Sequence, residues 1–177
     1  MNDGKGLVII YTGEGKGKTT AALGLVLRAV GYKKKCLIVQ FGKMWFTGEV
    51  EGVKKLAPFV KLVQGGKGFV KILGDKLPLK EHKKAAKETF QKLHKEMMSG
   101  KWDVVVADEI VGAVSSGLLT EKQAVTLITD KPKLLDLILT GHHVSEKLIQ
   151  MADLVTEMRE VKHPYQKGIL AKKGLDF

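Results

Sequence analysis

Only one cysteine occurs in the chain, Cys36, so an intrachain disulfide is excluded and the fold must be held by its core. Cys36 stands in the apolar run Cys36-Leu37-Ile38-Val39, the setting of a buried, inert thiol. Proline is scarce, at four residues, and no linker, low-complexity tract or internal repeat divides the 177 residues. A single domain over 1–177 is expected, long enough to bury its own core without metal or disulfide staples. No apolar run approaches the ~20 residues of a membrane span. The first strand-like segment begins at Leu7, which leaves no room for a signal peptide. These absences predict a cytoplasmic protein with no membrane partner. Acidic residues are few beside basic ones, 19 against 30, giving a net charge of +11. Such a balance favours anionic partners, nucleic acid among them. Many of the lysines, however, fall between Lys80 and Lys95, interleaved with Glu81, Ala85, Ala86 and Glu88, as on a solvated helix face. With 6% aromatics and no stacking motif, nucleic acid is not the expected partner.

What is present is a phosphate-binding architecture. Leu7 to Tyr11 is an apolar, β-branched run of the kind buried in a parallel strand. Gly13, Gly15 and Gly17 follow, alternating with Glu14 and Lys16, so the backbone can take positive φ and approach a ligand without Cβ obstruction. Successive N–H groups in such a turn form an anion nest, to which the next helix adds its free N-terminal donors. Lys18 supplies a mobile point charge for phosphate oxygens, and the Thr19 hydroxyl suits a Mg²⁺ ion. The spacing is one residue short of the general P-loop pattern, with Thr12 where the first glycine is expected.

A coarse secondary structure places the other candidates. The helix after the loop is expected to end with Gly31 as a C′ residue, followed by a strand at Cys36–Phe41. Residues 42–78 read as irregular, substrate-facing loops apart from a strand at Val60–Val63. A helix from about Lys80 to Met98 precedes a buried strand that closes on Asp108 and Glu109. That Walker B pattern puts two carboxylates at the carboxyl end of a strand, beside the P-loop. One can act on the metal shell and the other ligate the metal or orient a reactant; the alternative is a helix N-cap. Thr120 and Gln123 have capping-box spacing, and Lys131-Pro132 closes that helix. Leu134–Leu139 is the next strand, ending in Thr140-Gly141-His142-His143, where the histidines read as loop residues near substrate. A helix over Val144–Ala152 and a half-exposed strand over Leu154–Val161 complete the order. The fold class is α/β: a doubly wound, mainly parallel sheet covered on both faces.

Several separated segments together match one family. Thr12 to Ala22 with Arg28-Ala29-Val30-Gly31, Val39-Gln40-Phe41, Val106 to Glu109, Thr140-Gly141, and Ala152 to Arg159 through Val161-Lys162-His163-Pro164-Tyr165 to Gly168 and Gly174 span nearly the whole chain. In these the chain resembles the P-loop type of ATP:cob(I)alamin, or corrinoid, adenosyltransferases, in which the shortened loop is typical. The resemblance implies a RecA-like fold, a homodimer, ATP as co-substrate with Mg²⁺ or Mn²⁺, a corrinoid substrate and an electron-donating flavoprotein as partner. It implies attack of corrinoid Co(I) on the ribose 5′ carbon with inorganic triphosphate leaving. It assigns Lys18, Asp108 and Glu109 to catalysis, Thr19 and Glu109 to the metal, and Gly13, Glu14, Gly15, Lys16, Gly17, Lys18, Thr19, Thr20, Arg28 and Phe69 to binding. Three positions depart from the family pattern: Glu14 stands where many members have Asn, Lys71 replaces Trp in the Gly-Phe-x-Trp segment that packs on the corrin, and His142 follows Thr140-Gly141 where Arg is frequent. The residues by themselves also admit a P-loop ATPase or nucleotide-dependent nucleic-acid binder, and a binding module without turnover.

Overall fold

The computed structural model describes residues 4–43, 45–68, 70 and 75–177. Six strands form one sheet, every pairing parallel: β1 (Val8–Thr12), β2 (Cys36–Phe41), β3 (Val60–Gly65), β4 (Val104–Asp108), β5 (Asp136–Thr140) and β6 (Leu154–Glu157), in the order β3-β2-β4-β5-β1-β6. Burial on both faces explains why β2 and β4 are buried at every position and read as apolar runs. Strand alternation divides their side chains between two cores. Cys36, Ile38, Val104, Val106 and Ile138 face a layer that includes Ala22, Val26 and Ala29 of α1 (Lys18–Gly31) and Val53 of α2 (Gly48–Lys54). Leu37, Val39, Val105, Ala107, Leu137 and Leu139 face the opposite layer. There lie α3 (Leu79–Met97), α4 (Ile110–Ser115), α5 (Glu121–Asp130) and α6 (Glu146–Met151). The doubly wound α/β expectation holds, and the sheet is parallel throughout.

Local chemistry sets most boundaries. Thr120 and Gln123 form the reciprocal capping box at the start of α5, and the Ser145 side chain accepts from Leu148 N–H at the start of α6. Four expectations need correction. Gly31 is the last residue of α1 and not its C′ residue; Val30 still packs on the core, and the left-handed turn falls at Lys33 (φ 59°). Residues 42–78 contain α2, whose two glycines weaken its helical signal and whose one buried residue is Val53. Glu109 does not continue a strand: it sits at φ 63° as the N-cap of α4, a helix too short for a periodic pattern. The strand expected over Leu154–Val161 stops at Glu157, because its only neighbour, β1, ends at Thr12. Among the described residues no helix is long and apolar enough to cross a membrane.

All six strands end at one edge, and the loops that leave β1, β2, β4 and β5 meet there, where open parallel sheets bind ligands. The core beneath that edge depends on tight filling. Leu37, wholly buried on β2, leaves a cavity when cut back. Leu37→Ala is expected to lower stability by about 2–5 kcal/mol, measured by urea unfolding.

Candidate active site

The phosphate loop takes its shape from three glycines and one crossing strand. Gly13 and Gly17 lie at φ 98° and 116°, and a Cβ on Gly13 would stand 2.4 Å from the carbonyl oxygen of Met158, so only glycine fits. Met158, just beyond β6, donates its N–H to Thr12 O (2.8 Å) and accepts from Gly15 N–H (2.6 Å), clamping the loop to the sheet. Lys18 opens α1 with its side chain buried, and its ammonium donates to Gly13 O (2.7 Å) and Gly15 O (2.9 Å). Burial lowers its pKa, and the nearby Glu109 and Glu14 carboxylates partly offset that effect. The bond from Ala21 N–H to Gly17 O (2.7 Å) belongs to the first turn of α1. The amides of Lys18, Thr19 and Thr20 precede it, the donors that a helix start leaves without an intrahelical partner.

Asp108 organises the site. Buried at the end of β4, it accepts at Oδ1 from Thr19 Oγ1 and from Thr140 Oγ1, both at 2.8 Å. At Oδ2 it meets Gln40 Nε2 (3.1 Å) and Lys43 Nζ (3.3 Å). Thr140 Oγ1 in turn accepts from Glu109 N–H (2.9 Å). Gln40 also donates to Glu49 Oε1 (3.1 Å), which Lys43 reaches at 3.0 Å. Burial acts against the Lys43 charge, but Asp108 and Glu49 outweigh it and raise the lysine's pKa. Burial likewise opposes the Glu49 charge, yet the Gln40 hydrogen bond, its own backbone amide and Lys43 bring that pKa down to about 2. Glu109 is pushed upward by burial and by Asp108, against the pull of Lys18 and Lys43.

Two cavities adjoin at Glu109 and His142, which line both. One, of about 570 Å³, is bounded by the phosphate loop, the start of α1 and Lys43. Its far wall is the C-terminal segment Gly174 to Phe177, held to the loop where Lys16 Nζ donates to Leu175 O (3.0 Å) and to Asp176. The other, of about 620 Å³, is largely apolar and is lined by Phe41, Ala86, Ala113 and Leu118 with Gly42, Gly66, Gly68 and Gly112. His82 lies in its wall, its Nε2 3.0 Å from Asp75 Oδ2. At the junction Glu14 meets both loop histidines: His142 Nδ1 is 3.4 Å from Oε2 and His143 Nδ1 3.3 Å from Oε1. Burial lowers the His142 pKa, as does Lys18, with Glu14 acting the other way.

The structure thus gathers Gly13, Glu14, Gly15, Lys16, Gly17, Lys18, Thr19, Thr20, Asp108 and Glu109 at one edge. Arg28 stands apart, exposed in the last turn of α1, ten residues and so about 15 Å along the helix from Lys18. Phe69 and Lys71 lie outside the described residues. Sequence reasoning quoted Gln40 and Gly174 within matching segments but gave them no role, and did not single out Lys43, Glu49 or the last three residues. Gln40 carried a readable signal, a polar residue closing an otherwise apolar strand. The register then sets it opposite Asp108.

Residues 4–177 match the family model described as ATP:corrinoid adenosyltransferase BtuR/CobO/CobP. The chain is similar to proteins named corrinoid adenosyltransferase from three bacteria. The one from Sinorhizobium sp. is 34% identical over 178 residues, 99% of this chain and 82% of that protein. The one from Pseudomonas aeruginosa is 33% identical over 178 residues, covering 99% and 85%. The one from Escherichia coli strain K12 is 31% identical over 176 residues, covering 99% and 87%.

Two outcomes test the polar network. Thr140→Val removes the hydroxyl that serves both Asp108 and Glu109 N–H, and is expected to cost about 1–3 kcal/mol in urea unfolding. Glu49 has a folded pKa of about 2, below the ordinary 4.5, so its contribution is present above pH 4.5 and is lost as pH falls toward 2. In Glu49→Gln the loss of stability between these two values should be shallower than in the parent, followed by unfolding at stepped pH.

Proposed function

Because this chain belongs to the ATP:corrinoid adenosyltransferase family, we propose that its phosphate loop holds the triphosphate of ATP as a leaving group while the adjoining apolar cavity receives the corrinoid. The family reaction transfers the 5′-deoxyadenosyl group of ATP to the reduced cobalt of a corrinoid, a transferase step of adenosylcobalamin synthesis. The observation that supports this arrangement is the pair of cavities sharing Glu109 and His142, one polar and loop-lined, the other largely apolar.

The proposed step forms a cobalt–carbon bond and breaks the bond from C5′ to the triphosphate oxygen. The Co(I) electron pair enters the new bond, and the C5′–O pair leaves with the triphosphate. No proton leaves the nucleophile, so no general base is required. The protein's work is positioning and stabilisation of leaving-group charge. The loop amides and those of Lys18, Thr19 and Thr20 receive phosphate oxygens, and Lys18 adds its ammonium. Thr19 and Glu109 would hold Mg²⁺ or Mn²⁺, with Asp108 orienting the Thr19 hydroxyl through their 2.8 Å bond. The donors are all oxygen, as a hard cation requires, and a cation there would favour the ionised form of Glu109, which burial and Asp108 otherwise push toward neutrality. Such an ion would neutralise charge on the triphosphate. A homodimer and a flavoprotein electron donor, which the resemblance implies, and a cytoplasmic setting, which the sequence leads one to expect, complete the reading.

The test is to supply MgATP and chemically reduced corrinoid and follow both products. The light-sensitive cobalt–carbon chromophore is expected to appear in step with inorganic triphosphate; release of single phosphate without the chromophore would overturn the reading in favour of an ATPase. Lys18→Ala is expected to lower kcat/KM for ATP by about 100-fold or more. EDTA should stop turnover, with Mg²⁺ or Mn²⁺ restoring it.

A further inference from the structure

A glutamate in a phosphate loop is an electrostatic liability. Glu14 lies between Gly13 and Gly15 of the anion nest, where a free carboxylate would oppose the triphosphate. In the fold it is met from across the site by two imidazoles, each Nδ1 against a different carboxylate oxygen, at 3.4 Å for His142 and 3.3 Å for His143. The backbone that brings them there is unusual at two successive turns. Gly141 takes φ 140°, where a Cβ would stand 2.3 Å from Gly112 N, and His143, which is not a glycine, takes φ 56°. Neither conformation is the relaxed choice for a loop leaving a strand, and together they place consecutive side chains against one partner far upstream in the sequence. Lys18 also bears on His142, and Glu109 lines the same two cavities as that histidine, so His142 stands where the two compartments adjoin.

We propose that Glu14, His142 and His143 form one positioning unit, in which the two imidazoles tether the phosphate loop to the end of β5 and hold the Glu14 charge away from the triphosphate. The histidines then serve nucleotide affinity through Glu14 and not by direct contact with ATP. This rests on the loop being the nucleotide site, as in the reading above.

The test is a mutant cycle on the intact chain, reading affinity for a fluorescent ATP analogue without corrinoid, and separately KM for ATP and for corrinoid during turnover. Removing both imidazoles, His142→Ala with His143→Ala, is expected to weaken nucleotide binding about 5- to 10-fold, a modest effect because the pair is solvent-facing. In a Glu14→Gln background the same histidine changes should weaken binding by less than about 3-fold relative to Glu14→Gln alone. His142→Arg, which keeps a donor toward Glu14, should weaken binding less than His142→Ala does. KM for ATP should follow the binding data while KM for corrinoid holds steady. Equal weakening in the parent and Glu14→Gln backgrounds would show that the imidazoles touch the nucleotide directly and would overturn the proposal, as would no weakening at all. The nucleotide measurement keeps the two readings apart: absence of the cobalt–carbon product with normal ATP-analogue binding defeats the transferase mechanism and leaves the cycle interpretable.

Discussion

One buried carboxylate sets the terms for the rest of the site. Asp108 ends a strand whose every residue is buried, and an ion in that position must be met by donors or it costs several kcal/mol. The fold supplies Thr19 from α1, Gln40 from β2, Thr140 from β5 and Lys43 from the loop after β2. Each contact also fixes the element that makes it. Thr19 ties the first turn of α1 to the neighbouring strand ends, Thr140 positions the backbone of Glu109, and Lys43 brings Glu49 into the same network. The electrostatics of Lys43, Glu49 and Glu109 all follow from this arrangement.

The sheet order makes the gathering possible. With β4 between β2 and β5, the register sets Gln40 opposite Asp108 and Ala107 opposite Leu139, so the residues just after these positions share one edge. The crossing of Met158 over the phosphate loop adds the remaining constraint, since its backbone both receives from Gly15 and crowds Gly13. Glycine is required there because a backbone passes close by, a reason separate from the approach of a phosphate. The cost of building a site from loops is offset by the layered core below: side chains from successive strand positions feed opposite cores, so the edge rests on a filled interior.

Much of the frame was legible because its signals are local. The apolar runs of β1, β2 and β4, the capping box at Thr120 and the Gly-Lys-Thr-Thr start of α1 each depend on residues adjacent in sequence. Where expectation and structure differ, packing overrides a local preference. Gly31 permits a helix stop, yet Val30 still has core to cover. α2 carries two glycines and was hidden, although Val53 gives it a place on the sheet. Glu109 looked like the continuation of a strand but turns left-handed, because Thr140 holds its amide while α4 must begin directly behind it.

The sequence by itself determined a glycine-rich loop opening a lysine-bearing helix and a carboxylate-tipped parallel strand, since glycine spacing, a lysine and an apolar run act through their immediate neighbours. Tertiary structure alone decided which charges face one another. Asp108 finds Thr19 and Thr140, Lys16 finds Asp176, and Glu14 finds His142 and His143. Each pair joins residues separated by tens of positions or more. Their meeting depends on strand order and register at the sheet edge, a property of the whole fold that no local pattern carries.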